Sequence, residues 1–169
     1  MAQKRSLRPT TGKVREAVLN ILRDSIEGAH FLDLYAGTGA VGVEALRQGA
    51  AEAIFVEADS HNLKAIDKLT KKSGLSERAR VITGKVLKFI EWAELNSLTF
   101  DIIFLDPPYH TDEIIHALTA IGGSHIMRPG GRVMAEHFAK KHLPDRFGSL
   151  QKIKDYHYGD SILSLYKTL

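Results

Sequence analysis

Cysteine is absent from the 169 residues, which removes disulfides, thiolate zinc sites and cysteine nucleophiles at once. The eight histidines are then the nitrogen ligands left for a transition metal, and no metal is expected. Also missing is any stretch close to the roughly 18 apolar residues that a bilayer-spanning helix needs. The opening Met1-Ala2-Gln3-Lys4-Arg5-Ser6 lacks the apolar core of a signal peptide. These absences predict a soluble, unsecreted, cytoplasmic protein with no membrane partner; a monomer is expected, though nothing in these absences sets the oligomeric state. A large excess of one charge sign is missing as well: a formal net charge of +3 and a pI near 9.1 are too mild to demand a polyanionic partner, yet compatible with one.

A chain of this length buries about two-thirds of its unfolded surface and needs no staple. Residues 1–169 therefore read as one domain, with a short basic N-terminal segment at 1–10. Lys4, Arg5, Arg8, Lys13 and Arg15 crowd that end. A phosphate-binding arm explains them, and so does a solvated tail followed by an ordinary helix face.

Apolar residues at three and four spacings predict a helix from Thr11 to about Asp24, behind Pro9 and a Thr10-Thr11 cap. Short apolar strands then alternate with helices. Strands are expected at 30–35, 53–57, 80–83 and 102–105, and helices at 41–47, 60–72, 87–95 and through Ile114, Ile115, Leu118 and Ile121. Pro129-Gly130-Gly131 reads as a turn before a strand at 132–136, and Gly159-Asp160 as the turn of a hairpin between 150–158 and 161–167. The fold class is α/β: a doubly wound, mainly parallel seven-stranded sheet with helices on both faces, ending in an antiparallel hairpin.

Gly37, Gly39 and Gly42 spell G-x-G-x-x-G between a predicted strand and helix, and Glu57 ends the next strand, where an acid can accept from ribose hydroxyls. That pair suits NAD as well as S-adenosylmethionine. Asp33 separates them, because a carboxylate four residues before the first glycine would repel a pyrophosphate, whereas S-adenosylmethionine presents an ammonium and a sulfonium. Asp59 supplies a second acid after Glu57 but also fits a helix N-cap.

Asp106-Pro107-Pro108-Tyr109 follows the buried strand at 102–105, at the carboxyl end where ligands of open parallel sheets bind. Its prolines remove two backbone donors and leave an acceptor-rich turn beside a carboxylate, suited to holding a planar amino group. With Asp106 and the Pro107 carbonyl each accepting one N–H, the nitrogen can pyramidalise toward an electrophilic methyl, and Tyr109 can stack on the base. The other reading is that Asp106 caps a turn and Tyr109 packs in the core.

Arg8-Pro9-Thr10-Thr11 with Val14-Arg15-Glu16, Phe31 through Gly39, Asp106 through Tyr109 and Tyr158-Gly159-Asp160 together closely resemble the bacterial RsmD-like family of 16S rRNA guanine-N2 methyltransferases. The resemblance implies S-adenosylmethionine as cofactor, and ribosomal RNA or the small ribosomal subunit particle as partner. It places Asp33, Gly37 and Gly39 along the methionine side, with Tyr35, Ala36 and Thr38 in the same loop. Glu57 would bind ribose beside Ala58, and the Arg-Pro-Thr segment with Thr10 would close over the cofactor. Asp106, Pro107, Pro108 and Tyr109 would hold the guanine. Lys4, Arg5 and Arg8 would bind RNA; Arg15 would bind RNA, help hold the cofactor or be an exposed helix residue. Family members usually carry a basic, glycine-containing hairpin before the Arg-Pro-Thr segment, where this chain has seven residues. Gly84-Lys85-Val86 stands where the family commonly has an Asp or Asn on adenine, so backbone is expected to hold that edge. The acceptor turn would also serve adenine N6, cytosine N4 or a glutamine amide. A reading of another class is a non-catalytic RNA-binding or assembly factor.

Overall fold

A computed structural model describes residues 11–169. The assignments to Lys4, Arg5, Arg8 and Thr10 fall outside the described residues. Helices α1 (Gly12–Ile21) and α2 (Arg23–Ile26) precede β1 (His30–Leu34), and α3 (Ala40–Arg47), β2 (Glu52–Glu57) and α4 (Ser60–Lys72) follow. A 3-10 turn (Ser76–Arg78) leads into β3 (Ala79–Thr83), α5 (Val86–Leu95), β4 (Phe100–Leu105) and α6 (Glu113–Gly122). The chain ends in β5 (Met127–Phe138), β6 (Arg146–Phe147), β7 (Leu150–Tyr158) and β8 (Ser161–Thr168).

These strands form one sheet in the order β3-β2-β1-β4-β5-β8-β7-β6. Strands β1 to β5 pair in parallel, while β8, β7 and β6 add antiparallel to the β5 edge. Successive side chains of a strand face opposite ways, and the central strands show it. Leu32, Leu34, Ile54, Val56, Ile103 and Leu105 enter the core shared with α5 and α6. Phe31, Phe55, Ile102 and Phe104 enter the other core, shared with α1 and α3. Both layers are apolar, so the central strands read as unbroken hydrophobic runs.

The expected fold class holds, with local differences. The sheet has eight strands rather than seven because β6 pairs through only two residues, too short to leave a periodic signal. Leu22 breaks the first helix; Thr11 caps it, its hydroxyl accepting from the Val14 N–H at 3.2 Å. Pro129-Gly130-Gly131 bulges within β5 instead of preceding it: Phe100 pairs with Met127 and Ile102 with Arg132, so the intervening residues loop out of register.

The β6–β7 turn is seated against the C-terminus of α6. The Ser149 N–H donates to the Gly122 carbonyl at 3.0 Å, and a Cβ on Gly122 would run into the Phe147 carbonyl. Because backbone cannot swing aside as a flexible side chain would, Gly122→Ala is expected to cost about 2–3 kcal/mol through overpacking. That should lower the melting temperature by roughly 5–10 °C. An unshifted calorimetric melt would show that this turn yields freely.

Candidate active site

Strand order reverses between β1 and β4, the switch point at which open α/β sheets gather ligands. Register aligns the ends there. Leu34 pairs with both Val56 and Leu105, and Leu105 with Ala135. The next residues, Glu57, Tyr35, Asp106 and Glu136, therefore stand level on adjacent strand ends, three carboxylates in one row. Asp33 lies two residues below Tyr35 in β1.

Asp33 occupies a position that alternation would otherwise give to an apolar side chain, paired across the sheet with Phe55 and Phe104. It is 1% exposed. Its Oδ2 accepts the Gly42 N–H at 3.0 Å, near the start of α3. Burial pushes the Asp33 carboxyl well above the usual carboxylate range; the Gly42 N–H opposes that shift, and the charges of Asp106 and Glu57 add to it. A Cβ on Gly42 would clash with the Phe55 ring and crowd Asp33 Oδ2. The third glycine of the motif is thus required by helix–strand contact.

Between β1 and α3, Tyr35, Gly37 and Gly39 all have positive φ, at 58°, 57° and 80°. The loop is tied sideways to β2: Ala36 N–H donates to the Val56 carbonyl at 3.1 Å, and Gly37 N–H donates to Glu57 Oε1 at 2.8 Å. Glu57 Oε2 accepts the Asp59 N–H at 2.9 Å. Both Glu57 oxygens keep lone-pair capacity for ribose hydroxyls, while fixing the loop a cofactor would meet. Asp59 caps α4, accepting from the His61 N–H at 2.8 Å.

Beside this loop opens a cavity of about 540 Å3 lined by Tyr35, Glu57, Ala58, Gly84, Val86 and Pro108 among others. That volume is within the range of small-molecule sites. Tyr35 lies on its wall near Glu113; burial, then the Glu113 charge, raise the phenol well above its usual value. Lys85 lines the cavity but is exposed, and Gly84 N–H donates to the Glu57 carbonyl at 3.1 Å. Leu87 and Lys88 lie on the same rim.

The Asp106–Tyr109 turn is partly exposed, with Pro107 buried. Thr111 Oγ1 donates to the Pro108 carbonyl at 3.0 Å, and Lys141 Nζ to the Thr111 carbonyl at 2.7 Å. The Tyr109 hydroxyl lies 2.6 Å from Ser161 Oγ, and its ring lies 5.6 Å from that of Phe138. The ring is anchored and half-buried, which fits a fixed wall better than a swinging flap.

The structure thus gathers Asp33, Tyr35, Glu57, Ala58 and Asp106 through Tyr109 at one end of the sheet. Gly39 is buried beneath the loop, while Ala36, Gly37 and Thr38 form its turn. Arg15 lies in the first turns of α1, partly exposed. The sequence reading missed Glu113, Glu136, Phe138 and Ser161. Glu136 had a signal: an acid at the end of an apolar strand on the ligand side. Ser161 had none, since only the hairpin register brings it opposite Phe138. Among the described residues, no cluster of His, Asp or Glu could hold a metal ion, and no helix is long and apolar enough to cross a membrane.

The family model described as "Conserved hypothetical protein 95" matches residues 1–167. The chain is similar to the "Putative rRNA methyltransferase YlbH" of Bacillus subtilis, 33% identical over 162 residues that span 96% of this chain and 88% of that protein. It is also similar to the "Ribosomal RNA small subunit methyltransferase D" of Haemophilus influenzae, 33% identical over 131 residues, 77% of this chain and 67% of that one. Among solved structures, a putative methyltransferase, yhhF from Escherichia coli, superposes with a TM-score of 0.85 at 26% identity, covering 96% of this chain and 88% of that chain.

A carboxyl whose pKa is raised on folding makes the folded state hold the extra proton between the ordinary and the raised value. Its contribution to stability therefore falls as pH rises through that window. Asp33→Asn, which keeps an acceptor for Gly42, should melt higher than wild type at pH 8, with the gap closing toward pH 4. Equal pH slopes in the two melts would show that Asp33 is not burdened by burial.

Proposed function

The chain belongs to the Conserved hypothetical protein 95 family, and from that membership we propose that it methylates the exocyclic N2 of a guanine in 16S ribosomal RNA. It is an S-adenosylmethionine-dependent rRNA methyltransferase of the RsmD family. The observation that carries the finer reading is the acceptor turn Asp106–Tyr109, level with Glu57 and Glu136 and near buried Asp33. Such an acid-rich, donor-poor strand end fits a cofactor bearing an ammonium and a sulfonium, and would repel a dinucleotide pyrophosphate.

When bound, S-adenosylmethionine supplies an electrophilic methyl group on a positively charged sulfur. Asp33 and the Gly37–Gly39 loop would hold its methionine end, and Glu57 its ribose. Asp106 and the Pro107 carbonyl would each accept one N–H of the guanine amino group, turning the nitrogen lone pair out of ring conjugation. As charge grows on that nitrogen during methyl transfer, these acceptors would stabilise it, and the Asp106 carboxylate would take the proton it sheds. Tyr109 offers an aromatic surface to the extruded base, a contact worth about 1–3 kcal/mol. Lys4, Arg5, Arg8 and Arg15 supply phosphate contacts.

Asp106→Ala should lower the turnover of methyl transfer to small-subunit RNA or particles by about 10²–10³-fold, the scale of losing one charge-stabilising partner. Calorimetry should find S-adenosylmethionine still bound. Near-normal turnover would remove Asp106 from the mechanism, and a methylated-nucleoside map lacking N2-methylguanine would remove guanine N2. Neutralising Lys4, Arg5 and Arg8 should make the salt dependence of RNA affinity shallower by about 0.7–0.9 log units per lost phosphate contact. An unchanged slope would place the RNA elsewhere.

A further inference from the structure

We propose that Ser161 and Glu136 are positioning residues that fix Tyr109 as a rigid wall of the base-binding seat, an inference resting on the reading of Asp106–Tyr109 as the substrate clamp. Ser161 Oγ donates to Glu136 Oε2 at 3.4 Å and lies 2.6 Å from the Tyr109 hydroxyl. A serine has one proton to give, so with that proton on Glu136 the phenol donates to Ser161. The result is a directed chain: Tyr109 to Ser161 to Glu136.

Its surroundings favour it. Ser161 is 8% exposed and Glu136 fully enclosed, so water competes weakly for either group and the hydrogen bonds act in a low local dielectric. The geometry comes from the hairpin: Ser161 opens β8 directly opposite Phe138, and Glu136 lies two residues earlier in β5 on the same face, a diagonal cross-strand neighbour. Ala139 N–H donates to the Asp160 carbonyl at 2.7 Å, holding the hairpin turn against the end of β5.

Tyr109 is thereby held by its hydroxyl through Ser161 and by its ring against Phe138 and, edge-on, His110. Packing alone would leave the ring free to rock. The hydroxyl contact restrains that motion before a base arrives. The C-terminal hairpin thus acts on the substrate pocket through a residue 52 positions away in sequence, without touching substrate itself.

The test uses the full chain with small-subunit particles as substrate. Tyr109→Phe and Ser161→Ala should each lower kcat/KM by roughly three- to tenfold, the scale of one neutral hydrogen bond. The double variant should fall no further than either single one, and calorimetric binding of S-adenosylmethionine should be unchanged in all three. Glu136→Gln, which keeps an acceptor, should retain more activity than Glu136→Ala. Multiplying losses in the double variant, or full activity in Ser161→Ala, would overturn the proposal. A second readout is independent of transfer: with ring-labelled tyrosine, NMR should show the Tyr109 resonance shifted and its ring flips faster in Ser161→Ala. An unaltered resonance would also overturn it. Should the wild type methylate no ribosomal RNA, the proposed function fails, and the NMR comparison still decides the role of Ser161.

Discussion

A carboxyl enclosed in an apolar layer is the constraint around which the site is built. Asp33 lies between Phe55 and Phe104 on neighbouring strands, where a sheet covered on both faces ordinarily takes an aliphatic side chain. Desolvation disfavours its charge, and the backbone of Gly42 gives it a hydrogen-bond donor. To bring that donor close, α3 must lie almost on β2, which forbids a side chain at Gly42. The short turn this demands runs through positive φ at Tyr35, Gly37 and Gly39. Tyr35 is the instructive case, since a non-glycine residue there costs of order 1–3 kcal/mol. The Ala36–Val56 and Gly37–Glu57 hydrogen bonds hold the loop in that conformation.

From this follows the electrostatic character of the strand ends. A cation arriving near Asp33 would relieve both the burial of its charge and the repulsion from Asp106 and Glu57. Register makes the row of acids possible: parallel pairing through Leu34, Val56, Leu105 and Ala135 brings the following residue of each strand to one level. A one-residue slip of any of these strands would turn its acid toward the opposite layer.

Much of this was legible in the sequence. Continuous apolar strands, helical spacing and the terminal hairpin around Gly159-Asp160 gave the architecture. Asp33, Glu57 and Asp106 carried a readable signal because each ends or interrupts an apolar run on the ligand side. What stayed hidden depends on pairing. The Pro129–Gly131 bulge looks like a turn in a one-dimensional pattern, and its enclosure in β5 follows from Met127 pairing with Phe100. Glu57 looked like a free ribose ligand, but both its oxygens also brace loop backbone, which spacing cannot show. Guanine, as distinct from any planar amino group, was never in the turn itself; only the family resemblance named it.

The two halves of the sheet divide the work in a way the topology explains. Parallel strands β1, β2, β4 and β5 are in register there and supply the acids and acceptors, since each βα crossover returns the chain to present another strand on the same side. Strands β7 and β8 are antiparallel, so their turn, rather than a strand's carboxyl end, arrives beside the site. A turn cannot add another loop leading into a helix, but its first paired residue can reach sideways. Ser161 does so, tying Tyr109 to the C-terminal hairpin. The Tyr109 ring is therefore braced from the antiparallel side and the cavity beside Tyr35 and Glu57 from the parallel side, with Asp106 between them.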